Sequence, residues 1–194
     1  MEGLIRPSSS QADSNSIPLL EARSISKSFE GNLVLSEIDL AVFPGEIHAV
    51  VGENGAGKST LMKILGGVYQ PDQGRLFLAE HEFQPGSPKK AIDHGIVVIH
   101  QELSLIPHLS TEENIFLGHY PVTRFGTVDR KKMRRDTLTL LRRLSIELEP
   151  SRAISQLSVA HQQMVEIAKA LSRNPKVLIL DEPTSVLDDE NAKV

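Results

Sequence analysis

Residues 1–18 hold five serines and two prolines but little apolar surface, too little to offset the entropy of ordering them, and they read as a disordered tail. From Leu19 the pattern changes. Leu33-Val34-Leu35 and residues 38–43 alternate as strands do, Pro44-Gly45 supplies a turn, and residues 46–51 predict a further strand running into a glycine-rich loop. After that loop, Leu61, Ile64 and Leu65 share one face of a helix over residues 59–65. The order strand, loop, helix is therefore expected here.

Further along, residues 74–79 look like a strand, 88–94 a short helix and 96–100 a buried strand. Met133, Thr137, Leu140, Leu141 and Leu144 form a helical stripe within residues 129–145. A second stripe, Met164, Ile167, Ala168 and Leu171, predicts a helix over residues 162–172, and residues 176–180 form a strand that ends at Asp181.

Length and composition narrow the class. A chain of 194 residues, 40% hydrophobic and 24% charged, is an ordinary globular protein, which excludes collagen-like, coiled-coil-only and wholly disordered chains. With 21 basic against 25 acidic residues the formal charge is −4, so nucleic acid is not the expected partner. A local basic face survives this average. Seven lysines and arginines surround the stripe of residues 129–145, and they suit phosphates or lipid headgroups, although a solvated basic face on an amphipathic helix is the simpler expectation. There is no cysteine, which removes disulfides, thiolate metal sites and cysteine nucleophiles and fits a reducing compartment. Apolar runs such as residues 177–180 are far shorter than the ~20 residues needed to cross a bilayer, and residues 1–18 do not read as a secretory signal.

The candidate chemistry is concentrated in Gly52-Glu53-Asn54-Gly55-Ala56-Gly57-Lys58-Ser59-Thr60, which satisfies G-x-x-x-x-G-K-[ST] at every position. Glycines let successive backbone N–H groups turn toward an anion, and the following helix start adds its positive dipole end. Lys58 supplies charge for the β- and γ-phosphates of a nucleoside triphosphate, and the Ser59 hydroxyl can complete the coordination of Mg²⁺. At a spacing of 123 positions from Lys58, Asp181 and Glu182 follow an apolar strand. Asp181 can hold Mg²⁺, and Glu182 can orient and deprotonate the attacking water.

These motifs make the chain resemble the ATP-binding domain of ABC transporters over nearly everything after Leu19. Ile99-His100-Gln101-Glu102-Leu103 resembles the Q-loop, with Gln101 implied to touch Mg²⁺ and the attacking water. Leu157-Ser158-Val159-Ala160-His161 stands where the signature LSGGQ is expected, and Asp181-Glu182-Pro183-Thr184-Ser185 with Val186-Leu187-Asp188 resembles the Walker B and D-loop run. Phe29 matches the aromatic residue that stacks on adenine. The wording around Lys58, around Gln101, in residues 114–118 and in residues 163–171 is similar to the first half of the tandem ATPases of ribose-, xylose- and galactose-type import.

The resemblance implies an α/β P-loop NTPase with a RecA-like core, an N-terminal antiparallel β subdomain, and a helical signature subdomain over about residues 104–172, all within a domain spanning residues 19–194. It also implies a second ATPase half, a membrane permease facing residues 103–110, an indirect link to a periplasmic substrate-binding protein, and a place on the cytoplasmic face of the inner membrane. Two departures stand out. Val159, Ala160 and His161 replace the signature's glycines and glutamine, which hinders close approach to the partner's nucleotide while Ser158 stays usable. All seven histidines precede Asp181, so the family's switch histidine has no counterpart; the core is expected to be incomplete at its C-terminal end and marginally stable.

Overall fold

The structure, a computed structural model, describes residues 17–100 and 102–181. Most of the expected tail therefore lies outside the described residues, as do Gln101, Glu182 and the run from Pro183 to Asp188. The chain divides into two compact units, Met1–Ile96 and Val97–Val194.

In the first unit, β1 (Leu20–Phe29) and β2 (Asn32–Val42) form an antiparallel hairpin, with Phe29 opposite Asn32 across a two-residue turn. β2 was expected as two pieces. It is one strand carrying an irregularity, because Glu37 takes a positive φ of 48° and its N–H is met by the Ser26 hydroxyl at 3.0 Å. The same device explains β1, whose buried positions Leu20, Ala22 and Ile25 break strict alternation. There the register shifts between Ala22 and Ile25, and Asp39 accepts the N–H of Ser24 at 2.7 Å.

After α1 (Lys58–Leu65) come β3 (Gln73–Leu78), β4 (His81–Glu82) and α2 (Pro88–Asp93), all within a residue or two of expectation where one was formed. The sheet order is β2-β1-β3-β4. Leu61, Ile64 and Leu65 of α1 are buried, as the helical stripe predicts.

The expected strand over residues 46–51 is not present: these residues are irregular, Ile47 is 98% exposed and Val51 72%. A strand exists only as a member of a ladder, and among the described residues no neighbour supplies one. An apolar run alone did not decide the outcome.

In the second unit, β5 (Ile96–Ile99), which begins at the boundary, pairs with β6 (Val177–Leu180). Between them lie α3 (Thr111–Ile115), α4 (Arg130–Arg143), a 3₁₀ turn at Ile154–Gln156 and α5 (Val159–Leu171). Their common core is built from Ile115, Phe116, Met133, Ile154, Leu157, Val165 and Ala168. α4 buries Met133, Thr137 and Leu141 of its predicted stripe. α5 differs from expectation in two ways. It starts three residues earlier than 162, and its buried face is Val165, Glu166, Ala168 and Ala170, while Met164, Ile167 and Leu171 are half-buried. Packing against α3 and α4, rather than the helix's own apolar moment, selected that face.

α3, only five residues long, is held by its cap. The Ser110 hydroxyl accepts the N–H of Glu113 at 3.3 Å, while the Glu113 carboxylate accepts the Ser110 N–H at 3.0 Å and its hydroxyl at 2.7 Å. The Ser110 hydroxyl and backbone hydrogen bonds hold Glu113 below its ordinary value of 4.5. A carboxylate depressed on folding stabilises the native state above its unfolded value and loses that contribution as pH falls through the folded value. Glu113→Gln should therefore cost about 1 kcal/mol at neutral pH and progressively less in acid. Denaturant unfolding of both proteins across that range checks this; a difference independent of pH contradicts it.

Candidate functional site

Gly57 caps α1 in the left-handed region, φ 89°, and contributes no capping side chain. Glycine is required here twice over: by that conformation, and because a Cβ would lie 2.6 Å from the Leu35 side chain and 3.0 Å from the Val34 carbonyl oxygen. The loop is thus pressed against β2, with the N-terminus of α1 aimed out of it. An uncapped helix start presents the N–H donors and dipole end that bind anions.

Lys58, the first residue of α1, turns back over the loop: its Nζ donates to the Gly52 carbonyl at 2.7 Å and to that of Glu53 at 2.9 Å. The Ala56 N–H closes the turn onto Glu53 at 3.1 Å. A cation is therefore held against two carbonyls of the loop at the uncapped start of α1. Glu53, Asn54, Gly55, Ala56 and Thr60 belong to this loop or the first turn after it, as the motif requires, and Ser59 lies in that first turn.

Leu35, which Gly57 touches, is the cross-strand partner of Lys27, two residues before Phe29. Phe29 is half-buried at the end of β1 and lies outside the unit's core. Its ring meets Tyr69 edge-on, 5.1 Å between centroids at 66°, and the Lys27 ammonium lies 5.6 Å from its centre. Asp72 fixes this strand end, accepting from Lys27 Nζ at 2.6 Å and from the Ser28 N–H at 2.7 Å, contacts that hold its carboxyl below the ordinary aspartate range. Tyr69 was not anticipated from sequence, where nothing marks a lone tyrosine as a ring partner 40 residues away.

In the second unit the ends of two strands meet. The Asp181 N–H donates to the Ile99 carbonyl at 3.0 Å, so Asp181, directly after β6, lies beside the last residue of β5. Gln101 and Glu182 lie outside the described residues.

The segment after β5 is clamped twice. The N–H and hydroxyl of Ser104 donate to one oxygen of the nearly buried Glu166, at 2.5 and 2.8 Å, and Lys169 donates to the Ser104 carbonyl and hydroxyl at 3.0 and 2.8 Å. Fully buried Asn114 accepts the Ile106 N–H at 2.7 Å and donates to the carbonyls of Ile106, Leu109 and Ser110. Glu166 was missed in the sequence, although an acid inside the apolar run of residues 163–171 is a signal: a buried charge needs partners.

At the other end of α5, Ser158 is the cap. Its hydroxyl accepts the His161 N–H at 3.3 Å and lies 2.9 Å from His161 Nδ1. Val159, the first residue of α5, is 49% exposed. His161 thus engages the Ser158 hydroxyl through both its backbone and its ring. Among the described residues no cluster of three or more His, Cys, Asp or Glu could hold a metal by itself.

Comparison with known proteins fits this arrangement. Residues 35–185 match the family described as ABC transporter. A ribose import ATP-binding protein of Geobacillus kaustophilus is 49% identical over 172 residues, covering 88% of this chain and 35% of that protein. The chain thus spans about a third of the length of such relatives. Among solved structures, cbiO1 of Clostridium perfringens, part of an ABC transporter complex, superposes with a TM-score of 0.74 at 28% identity, over 88% of this chain and 68% of that one. A dimeric ATP-binding cassette with ADP and Pi gives 0.74 at 26% identity, over 88% and 77%.

Proposed function

This chain belongs to the ABC transporter family, and from that premise we propose that it binds and, in the complete protein, hydrolyses ATP to energise a bacterial importer of a monosaccharide. The observation that carries the reading is the Lys58 ammonium held 2.7 and 2.9 Å from the carbonyls of its own glycine-rich loop at the uncapped start of α1. On binding, those carbonyl contacts exchange for β- and γ-phosphate oxygens, while backbone N–H groups of the loop surround the β-phosphate and Phe29 stacks on adenine.

The hydroxyl of Ser59, the carboxylate of Asp181 and the side-chain oxygen of Gln101 are hard donors of the type that suits Mg²⁺, which when bound neutralises charge on the phosphates. Glu182 takes a proton from water as the water oxygen attacks the γ-phosphorus; the β–γ bridging oxygen leaves with ADP.

The remaining assignments follow the family. Ser158, Val159, Ala160 and His161 face the nucleotide of a second ATPase half, residues 103–110 face a permease, and a substrate-binding protein delivers the sugar from outside. The likeness to a ribose import ATP-binding protein supports the sugar class. No helix among the described residues is long and apolar enough to cross a membrane, which accords with peripheral association through that permease.

A second reading, an ATP binder without turnover, is favoured by one observation, the Ser158 hydroxyl engaged by His161 beside exposed Val159. Titration of Mg-ATP against AMP tests the shared part: a cradle built for polyphosphate should bind ATP on the order of tenfold or more tighter than AMP. Equal affinities would sink both readings, and steady-state ATP turnover by the complete protein separates them.

A further inference from the structure

Residues 120–145 concentrate eight basic residues against two aspartates in a chain whose net charge is −4. The structure adds what the sequence pattern did not reveal. Residues 121–129 form a small hairpin closed by the Val122–Val128 bridge, by Thr123 N–H to the Thr127 carbonyl at 2.8 Å and by Asp129 N–H to the Pro121 carbonyl at 2.8 Å. At its tip Phe125 is 77% exposed, flanked by Val122 at 61% and Val128 at 46%, with the Arg124 guanidinium 4.7 Å from the Phe125 ring centre. So many hydrogen bonds around exposed apolar side chains mean that they are presented without further ordering cost.

α4 follows directly, capped by Asp129, whose side chain accepts the Lys132 N–H at 2.9 Å. Opposite its buried stripe lie Lys131, Arg135 and Arg142, spaced i, i+4 and i+11 along one face. Nearby cations are already committed: Arg134 to Glu149 at 2.6 Å, and Lys132 to Asp136. Arg135 has only the longer contact to that same Asp136, 3.6 Å, while Lys131 and Arg142 make no ion pair among the described residues.

We propose that the hairpin tip and this stripe form a surface that docks on an anionic lipid bilayer. Phe125, Val122 and Val128 enter the boundary between headgroups and acyl chains, where an aromatic ring and branched aliphatics gain apolar contact, and Lys131, Arg135 and Arg142 take the phosphate layer. Nucleic acid would satisfy the cations but would leave the two valines exposed, so the combined chemistry favours lipid. The proposal uses none of the residues assigned to nucleotide and does not rest on the ATPase reading.

The test is co-flotation of the purified protein with vesicles of phosphatidylcholine alone and of phosphatidylcholine with phosphatidylglycerol, across a salt series. Binding is expected only with the anionic lipid and should weaken as salt rises. Lys131→Gln/Arg135→Gln/Arg142→Gln together should lower the partition coefficient on the order of 100-fold, and Phe125→Ser alone about tenfold, with the far-ultraviolet circular dichroism and thermal midpoint of both unchanged as the check on folding. Equal binding to both vesicle types, insensitivity to either set of substitutions, or salt-sensitive RNA binding without vesicle binding each overturns the proposal.

Discussion

Replacing Lys58 by alanine is expected to weaken Mg-ATP binding on the order of 30- to 150-fold, the loss of a charge-assisted contact worth roughly 2–3 kcal/mol. The structure sharpens the expectation. Lys58 already spends its donors on the carbonyls of Gly52 and Glu53, so the alanine variant also loses a clasp across the loop. That second loss touches any ligand of the loop, whereas the first touches only the phosphates beyond the α position. Parallel titrations with ATP and AMP should therefore show the large effect for ATP and a small one for AMP. If the ATP affinity of Lys58→Ala stayed within about threefold of the parent, the cradle reading would fail.

The largest expected effect is on turnover. Glu182→Gln in the complete protein should retain ATP binding and lose hydrolysis at that site by about 10²- to 10⁴-fold, because an amide of the same shape cannot accept the water's proton. Single-turnover measurement on the complete protein, with the second half's own base replaced in both samples, isolates the step. Hydrolysis near the parent rate would remove Glu182 from the role of base. Absence of hydrolysis in both would point to the non-hydrolysing alternative.

How much was legible beforehand depended on how local the information was. The glycine-rich turn and α1 are legible because a helix start after Gly57 and an apolar stripe at Leu61, Ile64 and Leu65 are all encoded within a dozen residues. α4 was read for the same reason: Met133, Thr137 and Leu141 repeat at the helical period, and Asp129 caps it. The irregular residues 46–51 show the reverse case. Their composition is that of a strand, yet strand formation depends on ladder partners that composition cannot specify.

The start of α5 is not legible from its apolar stripe, because Ser158, Val159, Ala160 and His161, which form the cap and first turn, precede the first repeat at Met164. Tyr69 against Phe29, and Glu166 and Lys169 against Ser104, depend on residues tens of positions apart, with Glu166 separated from Ser104 by 62. So does the surface of Phe125 and α4: sequence shows the cations, but only folding shows that Arg134 is consumed by Glu149 while Phe125 is left exposed.

By itself, then, the sequence determined the candidate chemistry proposed for this protein, since glycine spacing, one lysine and a pair of acids act through short-range backbone geometry and charge. The tertiary structure decided which side chains are available for it: which cations are already paired, which hydroxyl is engaged, which buried acid anchors the segment after β5. Availability is a matter of burial and partnership, and those are settled by contacts between segments that no local pattern records.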